Sequence, residues 1–324
     1  MSDLKSIKIL GSTTGHAPTR AKLAETFDVI TSDLDTVKNW PIEKRAEIRG
    51  IASLFVGADK ALIDALPNLE IISSFGVGYD HIDANHAAKQ NVIVTHTPDV
   101  LDDEVADTTI GLLINTLREL YQAEKYLRDG HWEKQGSYPL TSLSMRNRSV
   151  GIFGLGRIGQ TIAKRLSGFD VPIHYHSRNP VAGAPFTYHQ TLVGMAQAVD
   201  TLIAIVPGTA QTHHSINADV LKALGPRGVL INVARGPVVD EAALIEALQN
   251  KTIAAAGLDV FEREPSVPQA LIDMKNVSLL PHVASASEDT RMLMGNLVYD
   301  NLVAWFMDKK VISSTPETKH LVKS

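Results

Sequence analysis

Short apolar runs alternate along this chain with longer stretches in which apolar positions recur every three or four residues. In the first hundred residues the short runs are 7–10, 29–30, 54–56, 71–75 and 92–95. Apolar on both faces, they are predicted to be strands of a sheet covered on both sides. Stretches such as 59–66 and 83–90 have helical spacing and lie between them. Strand–helix alternation of this kind predicts parallel pairing with helices on both faces of the sheet.

Pro98 breaks the pattern, and a single long helix is expected over 102–128. Val105, Thr109, Leu112, Leu113, Thr116 and Leu120 fall on one stripe of it. Asp99, Asp102, Asp103 and Glu104 gather at its start, where carboxylates suit the positive end of a helix dipole. Residues 129–147 are polar and turn-rich and read as a loop. A second series of strands follows at 149–153, 171–175, 201–206, 229–232, 254–258 and 277–280, and a helix over 287–307 closes the pattern.

Composition narrows the classes. At 324 residues the chain is too long for one ordinary core and suits two domains. A net charge of -5 and a pI near 6.2 argue against a nucleic-acid partner. No cysteine is present, which removes disulfides, thiol nucleophiles and cysteine-based zinc sites. No metal site is expected. No run approaches the ~18 apolar residues of a membrane span, and no secretion signal is expected at MSDLKSIKILGST. A cytoplasmic protein is the expectation.

The most informative local motif is Gly154-Leu155-Gly156-Arg157-Ile158-Gly159, placed directly after the apolar run 150–153 and before a helical stretch from Thr161. That context is what a dinucleotide pyrophosphate requires. The first glycine permits a tight turn, the second lets backbone approach phosphate, and the third lets helix pack on strand. An NAD site usually carries a carboxylate about 20 residues further on. Here the sequence is His176-Ser177-Arg178-Asn179. Ser177 can donate to a 2′-phosphate and Arg178 can pair with it, so NADP(H) is expected in preference to NAD(H).

Three segments of the second half set polar residues just beyond apolar runs: Asn232-Val233-Ala234-Arg235-Gly236, Asp259-Val260-Phe261-Glu262-Arg263-Glu264-Pro265 and Pro281-His282-Val283-Ala284-Ser285. In order and spacing they resemble the D-isomer-specific 2-hydroxyacid dehydrogenase family, and within it the glyoxylate/hydroxypyruvate reductases, over residues 50–305. The resemblance implies a catalytic trio of Arg235, Glu264 and His282. The chemistry agrees, since reducing a keto acid needs a proton for the carbonyl oxygen, and histidine titrates near neutrality. A carboxylate beside it would favour the imidazolium, and a guanidinium would pair with the substrate carboxylate. The other histidines, His81, His86, His213 and His214 among them, are read as structural or surface residues.

By the same resemblance Val77 and Gly78 hold the substrate carboxylate through backbone N–H groups. Val206, Pro207 and Thr212 form a loop over the cofactor. Val233 and Ala234 line the cofactor, and Asp259 meets the nicotinamide carboxamide. Asp102 stands where the family commonly has threonine. The implied fold is α/β, two Rossmann-like doubly wound parallel-sheet domains with an interdomain cleft. Residues 1–98 and 287–324 would form a flavodoxin-like substrate domain and 99–286 the dinucleotide-binding domain. The 102–128 helix and the loop behind it resemble a dimerisation arm, which implies a homodimer. The expected activity is reduction of a small-molecule 2-keto acid, glyoxylate or hydroxypyruvate, to a D-2-hydroxy acid. Two alternatives stand beside it: reduction of bulkier keto acids such as phenylpyruvates, and a non-enzymatic dinucleotide-sensing role like that of a corepressor.

Overall fold

The computed structural model describes residues 4–54 and 56–322, without the side chain of Asp35. The chain divides into two compact units, one from Met1–Leu101 with Ser287–Ser324 and one from Asp102–Ala286.

Unit 1 runs β1 (Lys8–Ser12), α1 (Ala17–Thr26), β2 (Asp28–Ser32), α2 (Leu34–Val37), α3 (Ile42–Arg45), β3 (Ile48–Ser53), α4 (Lys60–Ala65), β4 (Ile71–Ser74), α5 (Ala84–Lys89) and β5 (Ile93–Thr95). The strands pair in parallel in the order β2-β1-β3-β4-β5. Ile9, Leu10, Ile51, Ile71, Ile72 and Ile93 are fully buried, as strands covered on both faces require. Helix starts are set by side chains: Asp59 accepts the Leu62 N–H at 2.7 Å and Asp83 the His86 N–H at 2.9 Å. The strand expected at 54–56 lies instead at Ile48–Ser53. Arg49 and Gly50 interrupt its apolar run in the sequence; Phe55 lies outside the described residues.

Unit 2 begins with α6 (Asp102–Arg118), α7 (Leu120–Arg128) and α8 (His131–Gln135). The single helix expected over 102–128 is therefore two, broken at Glu119, whose φ of +51° is left-handed. Five of the six stripe residues are buried in α6, whereas Leu120, beyond the break, is 48% exposed. The expected loop 129–147 contains α8. Then come β6 (Val150–Phe153), α9 (Arg157–Leu166), β7 (Ile173–His176), β8 (Thr187–Tyr188), α10 (Leu192–Ala198), β9 (Thr201–Ala204), α11 (Ala218–Leu224), β10 (Val229–Asn232), α12 (Glu241–Gln249), β11 (Ala255–Leu258), α13 (Gln269–Asp273) and β12 (Val277–Leu279). All pair in parallel, in the order β12-β11-β10-β9-β6-β7-β8. The order reverses between β6 and β9, the switch point at which open α/β sheets bind ligands.

Helix α6 lies close on this sheet: a Cβ on Gly257 of β11 would sit 2.6 Å from Thr116 Oγ1 and 2.9 Å from Leu112 Cγ. Arg165 of α9 reaches back to Asp103 and Asp107 at 2.7 and 2.6 Å, so acids at the start of α6 also pair across to α9. The chain returns to unit 1 as α14 (Glu288–Asp308), capped by Ser287, and buries Val298, Leu302 and Phe306. Each such side chain contributes roughly 1.5–3 kcal/mol on burial. Among the described residues, no helix is long and apolar enough to cross a membrane.

Candidate active site

The glycine motif follows β6 at the switch point, and its three glycines meet three different constraints. Gly154 has φ +105°, and a Cβ there would lie 2.7 Å from the Ile205 carbonyl oxygen. At Gly159 a Cβ would fall 2.0 Å from the Gly154 carbonyl oxygen, so α9 packs on the turn through bare backbone. Gly156, by contrast, has no protein atom within 4 Å of where its Cβ would stand. It is the N-cap of α9 and makes no side-chain cap, so open space lies beside the start of the helix. Tight turn, close packing and an open cradle at a helix start together fit a pyrophosphate. Gly156 and Arg157 are exposed, Ile158 is partly buried, and Leu155 points its side chain into the core at 2% exposure. Leu155 is thus available to a ligand only through its backbone.

Strand β7 ends at His176, and Ser177 and Arg178 follow. Ser177 Oγ donates to the Asn179 carbonyl at 2.8 Å, closing the turn, and Arg178 is exposed. His176 is half-buried: its ring stacks on Phe153 and its Nδ1 donates to the His189 carbonyl at 2.9 Å. Across the switch point, Val206 and Pro207 open the loop after β9. Thr212 ties it shut, donating to the Pro207 carbonyl at 2.6 Å and accepting the Thr209 N–H at 2.9 Å.

Arg235 stands on the turn after β10. Val233 and Ala234 before it are buried, and buried Asn232 braces the turn by donating to the Arg235 carbonyl at 3.1 Å and accepting the Ala234 N–H at 3.1 Å. Beyond Arg235 the backbone of Gly236 rests against the next active segment; a Cβ would be 1.8 Å from the Phe261 carbonyl oxygen. That close approach brings the Arg235 turn beside the turn bearing Glu264.

Glu264 Oε1 accepts the Phe261 N–H at 3.0 Å and Oε2 meets His282 Nδ1 at 2.6 Å. A carboxylate can only accept, so Nδ1 carries the proton and Nε2 is the nitrogen left to exchange one. Burial pushes the Glu264 carboxyl up, but the His282 bond, the Phe261 amide and the Arg235 charge outweigh it and hold it below its ordinary value. His282 itself has φ +53°. Asp259 imposes that turn: 1% exposed, it accepts the Val283 and Ala284 N–H groups at 2.7 and 3.0 Å, while its own carbonyl takes the His282 N–H at 2.8 Å. Burial raises its pKa against the opposing pull of those two amides. The visible work of Asp259 is therefore to hold the histidine turn. A cavity of about 270 Å³ opens beside Glu264 and His282, walled by Phe261, Pro265, Val267, Leu279 and Leu280.

In unit 1 the turn after β4 carries Val77 and Gly78. The Val77 carbonyl accepts from His96 Nδ1 at 3.0 Å. Among the described residues, the N–H groups of Val77 and Gly78 donate to no protein acceptor. His81 lies near Ser53 and Ser74, and His86 pairs with Asp64 at 2.6 Å. Among the described residues, no cluster of three or more His, Asp or Glu side chains is arranged to hold a metal ion. Sequence reasoning missed Asn232 and Gly236 as braces of Arg235. A polar residue ending a fully apolar strand was the signal for Asn232.

Residues 110–284 match the family described as D-isomer specific 2-hydroxyacid dehydrogenase, NAD binding domain. A hydroxyphenylpyruvate reductase of Plectranthus scutellarioides is 49% identical over 79% of this chain and 82% of that protein. A glyoxylate/hydroxypyruvate reductase of Arabidopsis thaliana is 47% identical over 83% of this chain and 86% of that protein. Among solved structures, an NADPH-dependent glyoxylate/hydroxypyruvate reductase from Sinorhizobium meliloti, in complex with NADP and malonate, superimposes with a TM-score of 0.92. It is 54% identical, over 97% of this chain and 98% of the other.

Proposed function

The chain belongs to the D-isomer-specific 2-hydroxyacid dehydrogenase family, and we propose that it is an NADPH-preferring reductase of glyoxylate and hydroxypyruvate, forming D-2-hydroxy acids. The observation that carries this reading is the His282–Glu264 pair, set beside Arg235 on the unit that also bears the open glycine cradle. This Asp102–Ala286 unit is read as the dinucleotide-binding domain, and the other as the substrate domain.

Gly154–Gly159, Ser177, Arg178, Val206, Pro207, Thr212, Val233, Ala234 and Asp259 are the residues proposed to hold the cofactor, with Leu155 contributing backbone alone. When bound, a reduced nicotinamide supplies the hydride. His282 Nε2 gives its proton to the carbonyl oxygen as negative charge develops there. Glu264 fixes the ring and stabilises its charged form. Arg235 pairs with the substrate carboxylate and polarises the carbonyl. In unit 1 the N–H groups of Val77 and Gly78 are proposed as further donors to that carboxylate.

Ser177 and Arg178 support the preference for NADPH, because no carboxylate stands there to repel a 2′-phosphate. Ser177→Asp is expected to lower NADPH affinity at least ~tenfold while affecting NADH little, read from cofactor titrations. The function itself is tested by following loss of reduced cofactor with a panel of 2-keto acids, each with NADPH and NADH. Turnover of glyoxylate and hydroxypyruvate, faster with NADPH, is expected; no turnover with any keto acid would overturn the reading. A second reading, reduction of arylpyruvates, is favoured by the apolar cavity beside His282, and the same panel decides between them.

The reading includes a homodimer in the cytoplasm. Leu120, Tyr121, Leu127, Trp132 and Leu140 are exposed along the arm, and α7 buries none of its side chains, which suits a second copy of this chain as its cover. The absence of cysteine suits a reducing compartment.

A further inference from the structure

The loop after β9 is anchored at its far end by a residue that the proposed chemistry does not use. His214 has φ +48°, and its N–H donates to the Pro237 carbonyl at 2.8 Å. Its Nε2 is bonded to Glu262 Oε1, and its Nδ1 faces Asp240 Oδ2 at 4.0 Å. A carboxylate can only accept, so Nε2 carries the proton toward Glu262, while Asp240 at 4.0 Å lies beyond hydrogen-bond distance.

Carboxylates flank the ring on two sides. Asp240 at the start of α12 and Glu262 on the 261–264 turn face the ring, and His213 stacks on it at 3.9 Å. Glu262 donates its own N–H to Glu241 Oε2 at 3.3 Å, and burial together with the Glu262 charge raises the Glu241 pKa. Two carboxylates, Glu262 and Asp240, thus face one imidazole. Glu262 also sits one residue from Phe261, whose N–H holds Glu264, and its backbone lies against Gly236 beside Arg235.

We propose that His214 is a positioning residue: the bond from its Nε2 to Glu262 clamps the 206–214 loop onto the 261–264 turn. The consequence rests on the reading of that loop as a cofactor contact. NADPH binding should weaken when either partner of the His214–Glu262 bond is removed.

The test is NADPH affinity, read from its fluorescence, for the unaltered protein, His214→Asn, Glu262→Gln and the double variant. Asparagine tolerates the left-handed backbone that His214 adopts, and Glu262→Gln leaves that backbone untouched. Each variant should bind about tenfold more weakly than the unaltered protein, and the double variant no more weakly than either. KM for NADPH should rise with the KM for keto acid unchanged, which a loss of folded protein would not produce. Unchanged NADPH affinity in either variant, or additive losses in the double variant, would overturn the clamp. Failure of the unaltered protein to bind NADPH at all would overturn the functional reading, and the clamp with it.

Discussion

The chain makes the same local structure twice, a buried strand, a glycine-containing turn and a helix, and gives the two copies different chemistry. In unit 1 the β1–α1 turn is filled by side chains. Ser12 Oγ bonds Thr14 Oγ1 at 3.0 Å and accepts the Thr14 N–H, while His16 Nδ1 meets Thr19 Oγ1 at 2.7 Å. α14 lies on the first turn of α1 so closely that a Cβ on Gly295 would stand 1.9 Å from Thr19 Oγ1. The cavity of about 380 Å³ nearby is walled by hydroxyls and by the Lys38–Asp59 pair at 3.0 Å. In unit 2 the β6–α9 turn is bare backbone, and its middle glycine faces nothing. A strand–turn–helix becomes a candidate dinucleotide site only where side chains stay out of the turn.

The largest expected effect comes from closing the packed glycine. Gly159→Ala would push a methyl into the Gly154 carbonyl and should cost unit 2 about 3 kcal/mol, measured by urea unfolding. Gly156→Ala is the complementary case. Stability should stay within about 1 kcal/mol of the unaltered protein, since the methyl meets no protein atom. NADPH affinity should nonetheless fall at least ~tenfold, because that methyl would occupy the space a phosphate needs. If Gly156→Ala binds NADPH normally, the contrast between the two turns carries no functional meaning.

The smallest effect separates carboxylates held for chemistry from the rest. The lowered pKa of Glu264 means its ionisation stabilises the fold above the ordinary value near 4.5, and that contribution is lost as pH falls through the lowered value. The Tm gap between the unaltered protein and Glu264→Gln should therefore narrow on acidification below about pH 4.5. Parallel melting curves would show that the pair contributes nothing to folding.

How much of this was legible in the sequence differs by kind of contact. Strands buried on both faces announce themselves as apolar runs, so residues 229–232 were read with the bounds of β10. β3 was misread because Arg49 and Gly50 interrupt its pattern. The break at Glu119 had no glycine or proline to signal it, and two-residue β8 is too short to show a period. At the site, residue types and spacing suggested Arg235, Glu264 and His282. Two of the supports were invisible, because they join segments distant in sequence: the Gly236 backbone against Phe261, and the Asp259 carboxylate holding the amides of Val283 and Ala284.

The account turns on whether His282 supplies the proton. The direct measurement pairs NADPH binding with single-turnover reduction of glyoxylate, in the unaltered protein and in His282→Ala. Binding should be retained within about threefold while reduction slows by ~10²–10⁴-fold. A His282→Ala protein that binds NADPH and reduces glyoxylate at the unaltered rate would contradict the account outright.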